Sequence, residues 1–209
     1  MFFIGDVHGQ FGTYNWMISQ MMLPCGGGVG MDESIQVGDF GVFNDSDIDP
    51  PNLSPTHRFM PGNHDNPWIC NMMDNCMGYY GYDENKDIFW TGGGLTIDKH
   101  IRTLGLDWWP EEELSAAEGL KVIELWAETR PRIMASHECP ASLLDLMYTR
   151  TYGASNTSKL LDHLLTIHRP DHWVFGHHHV RYELVEDGTH FVGLNAVHYN
   201  MKESWIKIN

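Results

Sequence analysis

Side chains able to bind metal ions follow five short apolar runs of this 209-residue chain. The runs are FFIGDVH (2–8), IQVGD (35–39), RFMPGNHD (58–65), RIMASH (132–137) and WVFGHHH (173–179). Each has the length and composition of a buried strand, and each gives way to Asp, Asn or His where a loop would begin. Because ligands collect beyond the carboxyl ends of parallel strands, we expect these side chains to converge. They are Asp6, His8, Asp39, Asn63, His64, His137, His177 and His179.

This set is too large for one zinc or magnesium ion and suits two metals that share a carboxylate. Oxygen and nitrogen donors without a thiolate fit manganese, iron, zinc or magnesium. The carboxylates of Asp6 and Asp39 do not cancel the charge of two divalent ions, and neutral imidazoles contribute no charge. The cluster would therefore stay net positive. The sequence therefore predicts a metal site that attracts phosphate.

The order of the motifs resembles the calcineurin-like metallophosphoesterase superfamily, whose series is D-x-H, G-D, G-N-H-D/E, a lone H and G-H-x-H. All five occur here in that order, between residues 6 and 179. The closest likeness is to compact stand-alone phosphoesterases of bacterial and phage type, for which GGGLTIDKHIRTLGLDWWPEEELS (92–115) looks characteristic. The resemblance implies an α/β fold, a four-layer αββα sandwich of two mixed β-sheets flanked by helices.

The resemblance also implies a role for each ligand. It assigns Asp6, His8 and His179 to a first metal, Asn63, His137 and His177 to a second, and Asp39 to both. Manganese is favoured on the same ground. The i, i+2 spacing of His177 and His179 agrees, because such residues on an extended segment point the same way. His178 between them should point away, as a solvent-facing or core histidine.

Three further residues are candidates for catalysis. By resemblance, His64 would bind phosphate and protonate the leaving group while a metal-bridging hydroxide attacks, and Asp65 could orient His64. Arg102 lies in the 92–115 segment, which reads either as a hairpin with a core-packed connector or as one wall of the cleft. In the second reading, the planar guanidinium of Arg102 contacts a phosphate oxygen.

One motif departs from the protein Ser/Thr phosphatases of the superfamily, which carry G-D-x-x-D-R-G. Here Val42 and Phe43 stand in place of the second Asp and the Arg. A phosphoprotein phosphatase mechanism of that type is therefore not expected. Arg58 and Arg102 are the candidate substitutes for the missing cation.

Composition and net charge limit the kinds of partner that the protein is expected to bind. With 42% hydrophobic residues and motifs from end to end, we expect one domain over 1–209. A net charge of −15 with only 13 Lys and Arg argues against an extended nucleic-acid surface, because phosphate neutralisation drives such binding. The expected function is hydrolysis of small or exposed phosphomonoesters or phosphodiesters. The alternatives are a metal-dependent nuclease of the DNA double-strand-break-repair type and a catalytically silent metal-binding interaction module.

The expected location is the cytoplasm. No run of 18 apolar residues is present, so no membrane span is expected. Asp6 belongs to the proposed site, which argues against a cleaved signal peptide. The four scattered cysteines indicate reduced thiols.

Periodicity and turn residues predict the remaining elements. Helices are expected over 11–22, within 65–76, over 115–128 with a Ser115–Glu118 capping box, over 140–147 and over 159–168. Two strands, 88–90 and 95–97, should flank a Gly92–Gly94 turn. The tail should form antiparallel strands over 181–186, 189–194 and 204–208, with a turn at Asp187-Gly188.

Overall fold

The computed structural model describes residues 1–20, 31–43, 54–147 and 154–209. The strands are β1 Phe2–Ile4, β2 Ser34–Gln36, β3 His57–Phe59, β4 Tyr80–Asp83, β5 Ile88–Thr91, β6 Ile133–Ser136, β7 His172–Phe175, β8 Tyr182–Glu186, β9 Thr189–Gly193 and β10 Trp205–Lys207. The α-helices are α1 Phe11–Gln20, α2 Pro67–Cys70, α3 Ala116–Thr129, α4 Ala141–Met147 and α5 Asn156–Ile167. The predicted end of the first helix at Met22 and its closing glycines lie outside the described residues, as does most of the predicted loop at 44–55.

The strands form two mixed sheets. The four-stranded sheet has the order β10-β1-β2-β3, with β1, β2 and β3 parallel and β10 antiparallel to β1. The six-stranded sheet has the order β4-β5-β6-β7-β9-β8, with a parallel centre and antiparallel edge strands β4 and β8. The apolar parts of the five runs lie in β1, β2, β3, β6 and β7, and the ligand residues follow these strands, so all five predicted strands are confirmed.

Three hydrophobic clusters divide the molecule into layers, because alternate strand residues face opposite sides of a sheet. Phe3 and Ile35 of the small sheet pack with Val174 of the large sheet in a shared central core. Phe2 and its neighbours face α1 on the outer face of the small sheet. Trp126 of α3 packs with strand residues on the outer face of the large sheet. The αββα sandwich that the sequence implied is thus confirmed.

The segment after β5 differs from the prediction. Leu95–Ile97 is not a strand, and the three glycines do not form a hairpin turn. Instead, the amides of Gly92, Gly93 and Gly94 donate to the carbonyls of Tyr79, Pro61 and Glu112, at 2.7, 2.8 and 3.0 Å. The glycine segment is therefore hydrogen-bonded to several other parts of the chain. The antiparallel neighbour of β5 is β4, whose YGYD sequence carries no apolar alternation and was missed.

Two local sequence signals are confirmed. The Ser115 hydroxyl accepts from the amide of Glu118, and the Glu118 carboxylate accepts from the amide of Ser115. Asp187 and Gly188 have φ of 47° and 87°, and they join the antiparallel strands β8 and β9. Such a turn favours a residue that tolerates left-handed backbone followed by glycine.

Two expectations concerned the thiols and membrane spans. Cys70, Cys76 and Cys139 are free thiols, and Cys25 lies outside the described residues. No helix in the described ranges is both long and apolar enough to cross a bilayer. The cytoplasmic location itself stays a prediction.

Candidate metal centre

The loops after the five strands bring the predicted ligands into two groups of donor atoms. The first group contains Asp6, His8, Asp39 and His179, and the second contains Asp39, His137 and His177. Within each group, one donor atom of every residue lies within 4.8 Å of the others. The sequence therefore located the residues that the fold draws together.

In the first group, two imidazoles face a buried carboxylate. His179 Nε2 lies 2.9 Å from Asp6 Oδ2 and 2.9 Å from His8 Nε2. His8 Nε2 is also 3.7 Å from Asp6 Oδ2 and 3.8 Å from Asp39 Oδ2. The His8 and His179 side chains are 22% and 28% exposed, so this group opens to solvent. Convergent nitrogen and oxygen atoms of this kind suit a divalent cation.

In the second group, hydrogen bonds made outside the centre turn the donors inward. Val37 O lies 2.9 Å from His137 Nδ1, which requires a proton on that nitrogen and leaves Nε2 as the nitrogen that faces the centre. Thr96 Oγ accepts from Asn63 Nδ2 at 2.9 Å, so Asn63 Oδ1 faces His137 Nε2, also at 2.9 Å. Burial lowers the pKa of His137, but the charges of Asp39 and Asp6 outweigh burial and raise it, so a proton on Nε2 can bridge these two atoms. A metal ion bound by both atoms would take the place of this proton. The donor set therefore fits a metal ion, and Thr96 is a supporting residue that the sequence did not reveal.

Asp39 belongs to both groups. Its Oδ2 is on the side of His8, and its Oδ1 lies 3.5 Å from His137 Nε2. Burial alone would raise the pKa of the Asp39 carboxyl, but the surrounding histidines, His137 first among them, hold this pKa below its ordinary value. Asp39 is therefore ionised at neutral pH, as a shared ligand must be.

Four of the seven predicted ligands have left-handed backbone. The φ angles of His8, Asp39, His177 and His179 are 48°, 54°, 64° and 52°. Such angles are uncommon for residues with a Cβ and cost free energy, so the surrounding structure must enforce them. Their concentration in the ligand loops marks a functional site.

The reasoning from an extended His177–His179 segment was wrong. Both histidines have positive φ, and the amide of His178 donates to Gly176 O at 2.7 Å, so the chain turns here. The turn sends His177 to the second donor group and His179 to the first. His178 does point away from both groups, toward a buried carboxylate.

Two glycines of the motifs are required by close approach. A Cβ on Gly62 would lie 2.1 Å from Asp39 Oδ1, and a Cβ on Gly176 would lie 2.3 Å from Asp6 Oδ1. Any larger residue would displace the carboxylate of a ligand. The glycine before a ligand thus makes room for a ligand from another strand.

His64 stands at the edge of the first group. Its ring centroid is 6.0 Å from that of His8, and its amide donates to Asp39 Oδ1 at 2.9 Å. His64 Nδ1 is buried and has no hydrogen-bond partner among the described residues. The imidazole is thus next to the centre, with a ring nitrogen that the protein leaves unsatisfied.

Asp65 is not placed to orient His64 as expected. Its two carboxylate oxygens accept four backbone N–H groups, those of Phe40, Gly41, Val42 and Gly62, at 2.7–2.9 Å. Asp65 instead joins the loop that carries Asp39 to the loop that carries Asn63. Asp65 therefore stabilises the conformation of the loops that carry these ligands.

Arg102 is held by an acidic neighbour. Its Nε and one terminal nitrogen lie 3.0 and 2.8 Å from Asp98 Oδ2. The hydrogen bond to Arg102 is the largest cause of a lowered pKa at Asp98, and the charge of His64 contributes in the same direction. The pair therefore lies within electrostatic reach of His64. Arg58, the other candidate cation, pairs with Asp83 at 3.2 Å.

The open side of the first group carries an aromatic pair that the sequence patterns did not single out. The rings of His198 and Tyr199 are 4.1 Å apart, and Tyr199 is 66% exposed. His198 lies 5.7 Å from the ring of His8, and Tyr199 lies 5.4 Å from the ring of His179. These residues follow β9, whose end no ligand motif marks.

The sequence matches a known family over most of its length. The family model described as calcineurin-like phosphoesterase covers residues 1–181. The chain belongs to this family, and it is a metal-dependent phosphoester hydrolase. No curated protein matches the chain.

Solved structures share the fold. A phosphopantetheinyl hydrolase from Mycobacterium tuberculosis superposes with a TM-score of 0.55 at 14% identity, over 99% of this chain and 94% of that one. A putative 5′-nucleotidase from Staphylococcus aureus, in complex with alpha-ketoglutarate, gives 0.51 at 12% identity, over 93% of this chain and 48% of that one. At these identities the likeness shows the fold alone.

Asp65→Asn should lower the free energy of unfolding by roughly 2–4 kcal/mol, because each carboxylate oxygen accepts two amides and the new NH₂ would face one such pair. Urea unfolding of the metal-free protein measures the change. Asp162→Asn is the matched control, since Asp162 accepts a backbone amide at 3.0 Å from a more exposed position. Equal midpoints for the two variants would show that Asp65 does not anchor the loops.

Proposed function

We propose that this protein hydrolyses phosphomonoesters or phosphodiesters at a dinuclear metal centre. The ligands are Asp6, His8 and His179 for one ion, Asn63, His137 and His177 for the other, and Asp39 for both. The observation that carries the proposal is the position of Asp39, whose two oxygens face two separate groups of donors. A single ion would not use both groups.

Two bound divalent ions would supply a water of lowered pKa and neutralise phosphoryl oxygens. The ions proposed are manganese first, on the ground of the family, with iron, zinc and magnesium as the alternatives. The first donor group supplies carboxylate oxygen and imidazole nitrogen, and the second adds the amide oxygen of Asn63; all four metals accept these donors. Asp6 and Asp39 contribute two negative charges, fewer than the positive charges of two divalent ions, so the loaded centre would stay net positive.

His64 is proposed to hydrogen-bond a phosphoryl oxygen and to donate a proton to the leaving oxygen. Its main chain is held next to the centre by a 2.9 Å hydrogen bond from its amide to Asp39. The unsatisfied His64 Nδ1 supports this role, because a buried polar atom without a protein partner calls for a ligand, an ion or a water molecule as its partner.

The proposed substrate is a small or exposed phosphoester. The chain has a net charge of −15, so the attraction of phosphate is expected from the loaded centre and not from an extended basic surface. The same ligands would serve a nuclease of the double-strand-break-repair type, and a silent metal-binding module would keep the ligands without turnover.

One panel separates these functions. The purified protein is loaded with Mn²⁺, Zn²⁺, Mg²⁺ or Fe²⁺ and assayed with p-nitrophenyl phosphate, bis(p-nitrophenyl) phosphate and single-stranded DNA. Hydrolysis of the small esters without cleavage of DNA is expected. Cleavage of DNA alone would favour the nuclease, and no turnover with any metal would favour the silent module.

Reconstitution with excess Mn²⁺ should give two equivalents of metal per chain, because seven ligands include one shared carboxylate. Asp39→Asn should weaken both ions, whereas His8→Ala should weaken mainly one. Elemental analysis after removal of free metal gives the count. A firm single equivalent in the wild-type protein would contradict the dinuclear centre.

His64→Ala should retain both metals and lower kcat by roughly 10²–10⁴, the usual range for general acid catalysis. The loss should shrink for an ester whose leaving group needs no proton. Steady-state kinetics with good and poor leaving groups measure this difference, and His163→Ala, an exposed histidine of α5, is the control. Equal losses for both leaving groups would limit His64 to binding or positioning.

Arg102→Ala should lower kcat/KM at least tenfold, about 1.4 kcal/mol of transition-state binding, if Arg102 contacts a phosphate oxygen. Metal content and melting temperature should hardly change. Arg58→Ala is a matched control, because it also breaks an ion pair with an aspartate. Arg102 would be structural if both variants kept full activity or if activity fell only together with stability.

A further inference from the structure

A buried carboxylate lies directly behind the second donor group. Glu138 follows His137 at the end of β6 and is 3% exposed. A buried charge is costly unless it is paired and hydrogen-bonded, so its partners show what it does. No motif in the sequence pointed to this residue.

Glu138 lies between His177, an expected metal ligand, and His178, which was expected to point away. Its Oε1 accepts from His178 Nε2 at 2.7 Å and from the amide of Cys139 at 2.9 Å. Its Oε2 lies 3.5 Å from His177 Nε2 and 3.5 Å from the hydroxyl of Ser155. His178, Cys139 and Ser155 thus hold the carboxylate in a position where its second oxygen faces His177.

The ring nitrogen of His177 that faces Glu138 determines which nitrogen is left for a metal ion. Because Nε2 faces the carboxylate, Nδ1 is the nitrogen left for the group with Asp39 and His137. An imidazole that binds a metal through one nitrogen carries its proton on the other, and an acceptor there fixes both tautomer and ring orientation. A Cβ on Gly94 would lie 3.4 Å from His177 Cε1, so the chain packs closely against the ring edge between the two nitrogens.

We propose that Glu138 is a positioning residue, which holds His177 with Nε2 protonated and Nδ1 directed at Asp39 and His137. Its removal should weaken one ion of the pair and leave the other. The link from metal binding to hydrolysis rests on the proposed function, but the positioning itself is measured without turnover.

The first experiment titrates metal-free protein with Mn²⁺ by calorimetry. Glu138→Gln keeps the size of the side chain and removes its charge. One of two ions should bind roughly 10–100-fold more weakly, the usual effect of losing such a supporting acceptor, and the other should bind as in the wild type. Glu138→Asp, which restores a carboxylate, should bind this ion more tightly than Glu138→Gln does. Wild-type affinity for both ions in Glu138→Gln would overturn the proposal.

The matched control is Cys139→Ser. Glu138, Cys139 and His178 are themselves three possible metal donors, and Cys139 Sγ lies 3.4 Å from His178 Nε2. The proposal expects Cys139→Ser to retain both ions at wild-type affinity, because this variant keeps the Cys139 amide and the Glu138 carboxylate. A loss of metal in Cys139→Ser equal to that in Glu138→Gln would show a metal site in this cluster and would overturn the positioning role.

A second measurement avoids any dependence on the folding of the variants. Long-range ¹H–¹⁵N spectra of the metal-free wild-type protein report the imidazole tautomers. His177 should be in the Nε2–H form, and an Nδ1–H form would contradict the proposal. Tight binding of two ions without hydrolysis of any ester would instead refute the proposed function and leave the role of Glu138 intact.

Discussion

The structure depends on one buried carboxylate that two groups of donors must share. Asp39 follows β2, in the middle of the parallel part of the small sheet, and the residue is 1% exposed. The first group comes from β1 and β7, and the second from β3, β6 and β7. Strands of both sheets therefore have to end at the same place. The central core between the sheets fixes this alignment, because a shift of either sheet would separate the donors from Asp39.

The loops around Asp39 are shaped by backbone chemistry more than by side-chain packing. Four ligands adopt left-handed φ, and two glycines leave room for the carboxylates of Asp39 and Asp6. Asp65 accepts four amides from two of these loops and so stabilises a conformation that the local sequence alone does not favour. Strain of this kind persists only where surrounding contacts over-determine the backbone, and it is typical of functional sites.

The ligands could be predicted because their signal is local. A short apolar run followed by Asp, Asn or His is visible in the sequence, and the rule for parallel strands places all such ends together. The supporting residues could not be predicted in this way. Thr96 and Glu138 act on Asn63 and His177 through contacts between segments distant in the chain, and no spacing encodes those contacts. For the same reason Asp65 was assigned to its sequence neighbour His64, whereas its hydrogen-bond partners include residues 23–25 positions away. The edge strand β4 was missed because its half-buried residues lack alternation, and Gly81 in it faces the ring of Trp90.

The antiparallel pairing of β10 with β1 has a consequence for biosynthesis. Phe2 pairs with Lys207, so the strand that leads into Asp6 and His8 obtains its second neighbour from residues that leave the ribosome after every ligand has been made. Until then, one edge of β1 exposes unpaired N–H and C=O groups, which can pair with other chains. Contacts of such large sequence separation also form slowly. The nascent polypeptide thus carries its full complement of donors for some time before the sheet that positions the first two is complete, and during this interval the open edge of β1 can pair with other chains.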